Sequence, residues 1–270
     1  MPELPEVETI ANGLNKYVAG DCIESVWVGS KPEPLKSPAR VIVRALEGST
    51  IERVHRVGKH IVFDLGARNG SGTNQWIVHL GMTGRMLVCA TDKQPEKHTH
   101  LVAQLKSGKE LRFVDPRRFG RIEVRRTEFR GPGSEPLQIS PEEFGALFHK
   151  SKAPIKAALL NQKFLHGVGN IYADESLFRA GVRPRRRANM VTRTELQKLH
   201  AALQEVLQEA IAAGGSSVSD YVDADGEAGF FQLQHRAYGR EGEPCLICKT
   251  PIKKIVVAGR GTHYCPKCQK

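Results

Sequence analysis

The sequence contains no apolar run approaching the roughly eighteen residues that a membrane-spanning helix needs. Its first residues, Met1-Pro-Glu-Leu-Pro-Glu-Val-Glu, are acidic and lack the basic-then-apolar layout of a secretory signal, so a cytosolic protein is expected. It has no internal repeat and no low-complexity segment. Cysteine is scarce, at six in 270 residues. Four of the six fall in two CxxC pairs, and Cys22 and Cys89 stand alone as expected small buried hydrophobes in a reducing compartment. Acidic side chains are outnumbered, 29 against 40 Lys and Arg.

That imbalance leaves a net charge of +11 and a pI near 9.5, which points to a polyanionic partner, nucleic acid first. The charge is not spread evenly. From Tyr238 to Lys270 there are seven basic residues and two acidic ones. The same stretch carries Cys245-Leu-Ile-Cys248 and, after sixteen residues, Cys265-Pro-Lys-Cys268. Two CxxC knuckles at this spacing predict one tetrahedral zinc held by Cys245, Cys248, Cys265 and Cys268. Four thiolates leave no open coordination position, so the metal is structural.

The remaining chain is long enough for two ordinary domains, and 40% hydrophobic content can fill their cores. Val7, Ile10, Leu14 and Val18 are spaced by three and four, predicting a helix over 2–18 that Gly20 ends. The pattern then shifts to short β-rich runs at 23–28, 51–57, 60–65, 76–80, 85–90, 101–105, 111–114 and 121–124, with turn-rich clusters such as 67–74 between them. Regular short strands predict an antiparallel sandwich. Residues 130–136 read as a linker, and the sequence beyond it is helical. Ser140, Pro141 and Glu143 form an N-cap and capping box. Helices are expected over 154–165, 170–180 and 192–213, with a polar loop over 216–234. The fold class expected is therefore α+β and multidomain: a β-sandwich over 1–131, a helical domain over 132–235 and a zinc hairpin over 236–270.

Three constellations carry chemistry. The unit at 154–180, helix then Gly167-Val-Gly169 then helix, can present backbone N–H groups at Asn170 to a phosphate, with Lys156 on the preceding helix. His79-Leu-Gly-Met-Thr-Gly84 and Asp115-Pro-Arg-Arg-Phe-Gly120 place Met82, Arg117 and Phe119 at loop tips, as in proteins that wedge open a duplex. Local sequence alone also allows these to be ordinary core residues. Finally, removal of Met1 would leave Pro2 with a terminal secondary amine, whose pKa lies below that of a lysine. Such an amine can attack a sugar carbon and form a Schiff base, with Glu3 beside it to pass protons; read locally, the plainer part for Pro2 is to start the helix.

These motifs, together with Leu160-Asn-Gln-Lys, Gly167-Val-Gly-Asn-Ile-Tyr-Ala-Asp-Glu175 and Arg260-Gly-Thr-His-Tyr-Cys-Pro-Lys-Cys-Gln269, occur in one order along essentially the whole chain. As a set they closely resemble the bacterial formamidopyrimidine-DNA glycosylase family. The resemblance implies a bifunctional glycosylase and abasic-site lyase acting on oxidised purines in duplex DNA, with Pro2 as nucleophile and Glu3 as proton shuttle. Leu4 resembles the oxidised-purine branch; the sister endonuclease VIII branch, acting on oxidised pyrimidines, usually has Gly there. The resemblance also gives Lys59 a part in β-elimination and Arg260 a part in δ-elimination. It makes Met82, Arg117 and Phe119 the side chains filling the gap left by a flipped base, and His98, Lys156 and Asn170 backbone contacts. It makes 216–231 the loop over the flipped purine. Asn161 stands where the family usually has Asp. Lys152 is the nearest basic candidate for a further backbone contact, since Ser151 interrupts Lys150 and Lys152. The expected partner is damaged duplex DNA, with no membrane. A monomer is expected, because a lesion has no two-fold symmetry, and a bacterial cytoplasm with the protein on the nucleoid. A non-catalytic zinc-containing DNA-binding protein is the alternative from another class.

Overall fold

The structure, a computed structural model, describes residues 1–66, 74–216 and 229–270. These residues form two compact units, 1–130 with 214–230, and 131–213 with 231–270.

The first unit opens with α1 (Leu4–Val18), whose predicted stripe Val7, Ile10, Leu14 and Val18 is buried. Eight strands follow: β1 (Ile23–Val28), β2 (Thr50–Val57), β3 (His60–Gly66), β4 (Asn74–His79), β5 (Arg85–Ala90), β6 (Thr99–Leu105), β7 (Lys109–Val114) and β8 (Arg121–Arg125). They build two four-stranded antiparallel sheets, ordered β1-β6-β7-β5 and β2-β3-β4-β8. Alternate residues of β3 (Ile61, Phe63, Leu65) and of β6 (Leu101, Ala103, Leu105) enter one core with the α1 stripe.

One element was missed. Ala39–Leu46 is a helix, α2, although Val41, Ile42 and Val43 favour strands locally. It is held because Ile42 and Leu46, one turn apart, both fall into the sandwich core. Cys22 and Cys89 are half-buried, less enclosed than expected.

The second unit contains α3 (Pro141–His149), α4 (Ile155–Leu159), α5 (Asn170–Ala180), α6 (Arg193–Ala212) and the hairpin β9 (Lys253–Val257) and β10 (Arg260–Tyr264). Ser140 caps α3 with Glu143 completing the box, and Thr192 caps α6 in the same way through Glu195. Gly181 closes α5 in the left-handed conformation, φ +69°. The helix expected over 154–165 stops at Leu159. Residues 164–166 are drawn away by an extended pairing with Ser134: its N–H donates to Phe164 O (3.0 Å), and its carbonyl accepts from His166 N (3.1 Å). No helix among the described residues is long and apolar enough to cross a membrane.

Candidate nucleic-acid interface and metal centre

Pro2 and Glu3 sit buried at the head of α1, while Met1 is exposed. Glu3 is the N-cap, and its N–H donates to the Glu6 carboxylate at 2.8 Å. The other Glu6 oxygen accepts from Ser216 N, also at 2.8 Å. One buried carboxylate thus ties the catalytic candidates to the start of the 216–231 loop. Residues 217–228 of that loop lie outside the described residues. The nitrogen of Pro2 is in a peptide bond with Met1, so its amine chemistry requires Met1 to be removed.

Lys59 is buried in the two-residue turn between β2 and β3, after Gly58 at φ +61°. Arg56, at the end of β2, donates to Gly58 O (3.2 Å) and pairs with Glu8 of α1 (2.6 Å). That bridge fixes the Lys59 turn against the helix bearing Pro2 and Glu3. The rings of His60 and His79 lie 4.9 Å apart. Burial, with the charges of Lys59 and Arg121, pushes His79 down to about 4. Burial and then His79 push His60 down to about 4. Both rings are therefore neutral at neutral pH, and His79 Nδ1 is able to accept from Gly81 N at 3.1 Å.

The two loop tips meet. A Cβ on Gly81 (φ +63°) would lie 2.6 Å from both Gly120 N and Phe119 C, so only glycine permits this backbone contact. Met82, Arg117 and Phe119 are all exposed. The Arg117 guanidinium stacks on the Phe119 ring at 4.7 Å. Asp115, fully buried, accepts from Thr83 Oγ1 (2.6 Å), Arg117 N (3.2 Å) and Gly120 N (2.7 Å). His98 is exposed in a left-handed conformation, φ +70°, with its carbonyl bonded to Asp115 N (3.0 Å). A non-glycine residue rarely adopts that conformation without external support.

In the second unit, Gln162 organises the turns between α4 and α5. Its amide accepts from Gly167 N and donates to Leu160 O and Val168 O, each at 2.9 Å. Asn161, where an Asp was expected, accepts from Lys163 N through Oδ1 (3.1 Å), a role either residue can fill. Asn170 and Asp174, one turn apart on α5, face β10. Asn170 Nδ2 donates to Gly261 O (3.0 Å), and Asp174 Oδ2 accepts from His263 N (2.8 Å).

Lys156 differs most from its expected setting. Its ammonium is fully enclosed, 2.7 Å from Asp174, and donates to Gly261 O (3.0 Å) and Thr262 Oγ1 (2.8 Å). The geometry makes it a brace under the hairpin rather than an outward phosphate contact. Arg260, next to Gly261, is exposed after the Ala258-Gly259 turn, both of whose residues have positive φ. Lys152 is exposed.

The four cysteine sulfurs lie within 4.8 Å of one another. Cys245–Cys268 is 3.9 Å and Cys248–Cys265 is 3.4 Å. A zinc tetrahedron with Zn–S near 2.3 Å has edges of about 3.8 Å, so the cluster fits. The fit extends to the chemistry of the donors. Hydrogen bonds from Thr250 lower Cys248 to about 6, whereas burial and the three neighbouring thiols push Cys268 up. A divalent cation is what lets all four ionise together. Among the residues that escaped the sequence reading although they lie in its motifs are Glu6 and Glu175, the latter fully buried and accepting from the N–H groups of Arg236, Ala237 and Tyr238 at 2.7–2.9 Å. A carboxylate's long-range backbone partners leave no local signature.

Three family models match in sequence order. They are the formamidopyrimidine-DNA glycosylase N-terminal domain over residues 1–122, the formamidopyrimidine-DNA glycosylase H2TH domain over 131–222, and the zinc finger found in FPG and IleRS over 242–270. A formamidopyrimidine-DNA glycosylase of Desulfitobacterium hafniense is 43% identical over 280 residues, covering 100% of both chains. Among solved structures, a Lactococcus lactis FPG mutant in complex with Fapy-dG-containing DNA superposes with a TM-score of 0.91 at 35% identity, covering 100% of both chains. The wild-type Lactococcus lactis protein with DNA containing an oxidised pyrimidine gives 0.90 at 35% identity, again with 100% coverage of both.

Proposed function

The chain belongs to the formamidopyrimidine-DNA glycosylase family, and on that premise we propose how its own residues divide the work of a DNA glycosylase and abasic-site lyase. The basic surface binds duplex DNA with an affinity that falls as salt rises. Met82, Arg117 and Phe119 fill the stack as a damaged purine is extruded, with Arg117 toward the orphaned cytosine. His98, Lys152 and Asn170 hold the backbone. Residues 1–131 carry the chemistry, 132–235 the grip and loop, and 236–270 the zinc hairpin.

Once Met1 is removed, the Pro2 nitrogen attacks C1′ of the damaged nucleotide and the C1′–N bond to the base breaks. The base leaves with its electron pair and takes up a proton. Opening of the sugar gives an iminium at C1′, positively charged without protonation because the amine is secondary. Glu3 moves the protons this requires. The iminium acidifies the C2′ proton; its loss expels the 3′ phosphate in β-elimination, assisted by Lys59. A second elimination expels the 5′ phosphate, assisted by Arg260, and leaves a one-nucleotide gap. Zinc, with a closed set of four sulfurs, holds the β9–β10 hairpin and takes no chemical step.

The observation that carries this assignment is the buried Pro2–Glu3 pair at the head of α1, locked by Glu6. Borohydride trapping on abasic DNA tests it. Pro2→Gly should reduce the covalent adduct about a hundredfold or more while duplex binding persists. An undiminished adduct in that variant would overturn it. Excision of oxidised purines should exceed that of oxidised pyrimidines on matched duplexes; the reverse would move the chain to the sister specificity. We also propose action as a monomer, in the cytoplasm and on nucleoid DNA.

A further inference from the structure

We infer that Asp115 is a positioning residue that locks the β4–β5 and β7–β8 loops into one wedge, so that Met82, Arg117 and Phe119 enter DNA together. The inference rests on the proposed gap-filling role of those three side chains. Asp115 is fully buried at the end of β7, and no cation pairs with it among the described residues. Its carboxylate is compensated instead by aimed donors. One, Thr83 Oγ1 at 2.6 Å, comes from the loop bearing Met82. Two, Arg117 N at 3.2 Å and Gly120 N at 2.7 Å, come from the loop bearing Arg117 and Phe119. Its backbone extends the same hub. The carbonyl accepts from Arg118 N (3.3 Å) and lies 2.9 Å from His100 Nε2, and the N–H holds the left-handed His98.

A turn that merely needed a cap would be served by the bonds to Gly120 and Arg117. The Thr83 bond crosses between loops, where the backbones already touch at Gly81 and Gly120. Hydrogen bonds to a carboxylate oxygen are constrained in both distance and angle. One carboxylate therefore fixes the spacing of three tips that must fill one gap. Pre-set spacing matters most when a duplex must be opened, and least when no partner strand is present.

Thr83→Val removes only the crossing bond at nearly constant shape. Asp115→Asn turns one acceptor oxygen into a donor facing either Gly120 N or Thr83. The experiment compares single-turnover excision of an oxidised purine from duplexes, opposite cytosine and opposite adenine, with cleavage of a preformed abasic site in a single strand. Thr83→Val and Asp115→Asn should each slow duplex excision about tenfold or more and narrow the opposite-base ratio, while single-strand cleavage stays within about twofold. Thr83→Ser should restore the ratio, and the Thr83→Val/Asp115→Asn double variant should be no slower than Asp115→Asn. Met82→Ala and Arg117→Ala serve as controls on the gap-filling reading; if they excise normally, that reading fails and the wedge with it. If those controls are impaired but Thr83→Val keeps the wild-type rate and ratio, or loses both substrates equally, the locking role is overturned and the gap-filling role stands.

Discussion

Lys156→Met tests the geometry of the second unit most sharply. The wild-type ammonium and the Asp174 carboxylate are both fully buried, 2.7 Å apart. The methionine keeps the length and apolar stem but removes the charge and the bonds to Gly261 O and Thr262 Oγ1. Asp174 is then left buried with the backbone N–H of His263 (2.8 Å) and the His263 ring nitrogen (3.5 Å) as its remaining polar partners, and without the lysine charge. Breaking one side of a buried pair costs about 3–5 kcal/mol. For a unit of this size that corresponds to roughly 10–20 °C in melting midpoint. The loss should appear by calorimetry, and as earlier zinc release to a chromogenic chelator, because the bonds removed hold β10. Adding Asp174→Asn removes the orphaned charge and should recover part of the loss, giving a coupling energy of at least about 1 kcal/mol. A Lys156→Met protein within about 1 kcal/mol of wild type, or strictly additive losses in the double variant, would refute the brace.

Two further outcomes are expected. His60 and His79, held down to about 4, stay neutral in the folded state at pH values where unfolded rings protonate, near 6.5. The unfolded chain then binds more protons, so stability should be level above about pH 7 and fall as pH drops from 6.5 toward 4. Urea midpoints at pH 7.5 and 5 should differ less in His79→Gln; an identical difference would remove the rings from the account. Cys245→Ser, or zinc removal by a chelator, should disorder the β9–β10 hairpin and weaken duplex binding. Unchanged affinity after verified zinc loss would count against the hairpin as a DNA contact.

Elements with strong local periodicity were legible from sequence nearly to the residue: β1, β5 and α5 have the expected bounds, and the Ser140 and Thr192 starts stand where the chain signals them. What was missed depends on tertiary context. Val41, Ile42 and Val43 of α2 favour strands locally, and the segment is helical because its flanking Ala, Arg and Leu residues favour a helix and Ile42 and Leu46 reach the core. The run from 160 to 165 could continue a helix, but at its end Phe164 and His166 bond to Ser134 instead.

The site divides in the same way. Sequence by itself determined the zinc ligands, because a tetrahedron of thiolates demands two CxxC pairs; the parts proposed for Pro2, Met82, Arg117, Phe119 and Arg260 came from a resemblance carried by motifs along the whole chain. It left buried charges unassigned, because a carboxylate or ammonium does not disclose its partner. Lys156 meets Gly261 across 105 residues, and Glu6 meets Ser216 across 210. Asp115 meets Thr83 across 32. Only the folded chain brings those groups within hydrogen-bonding distance, where low dielectric makes each such partner obligatory. Sequence thus named the candidates, and tertiary structure decided which charged residues pack around them.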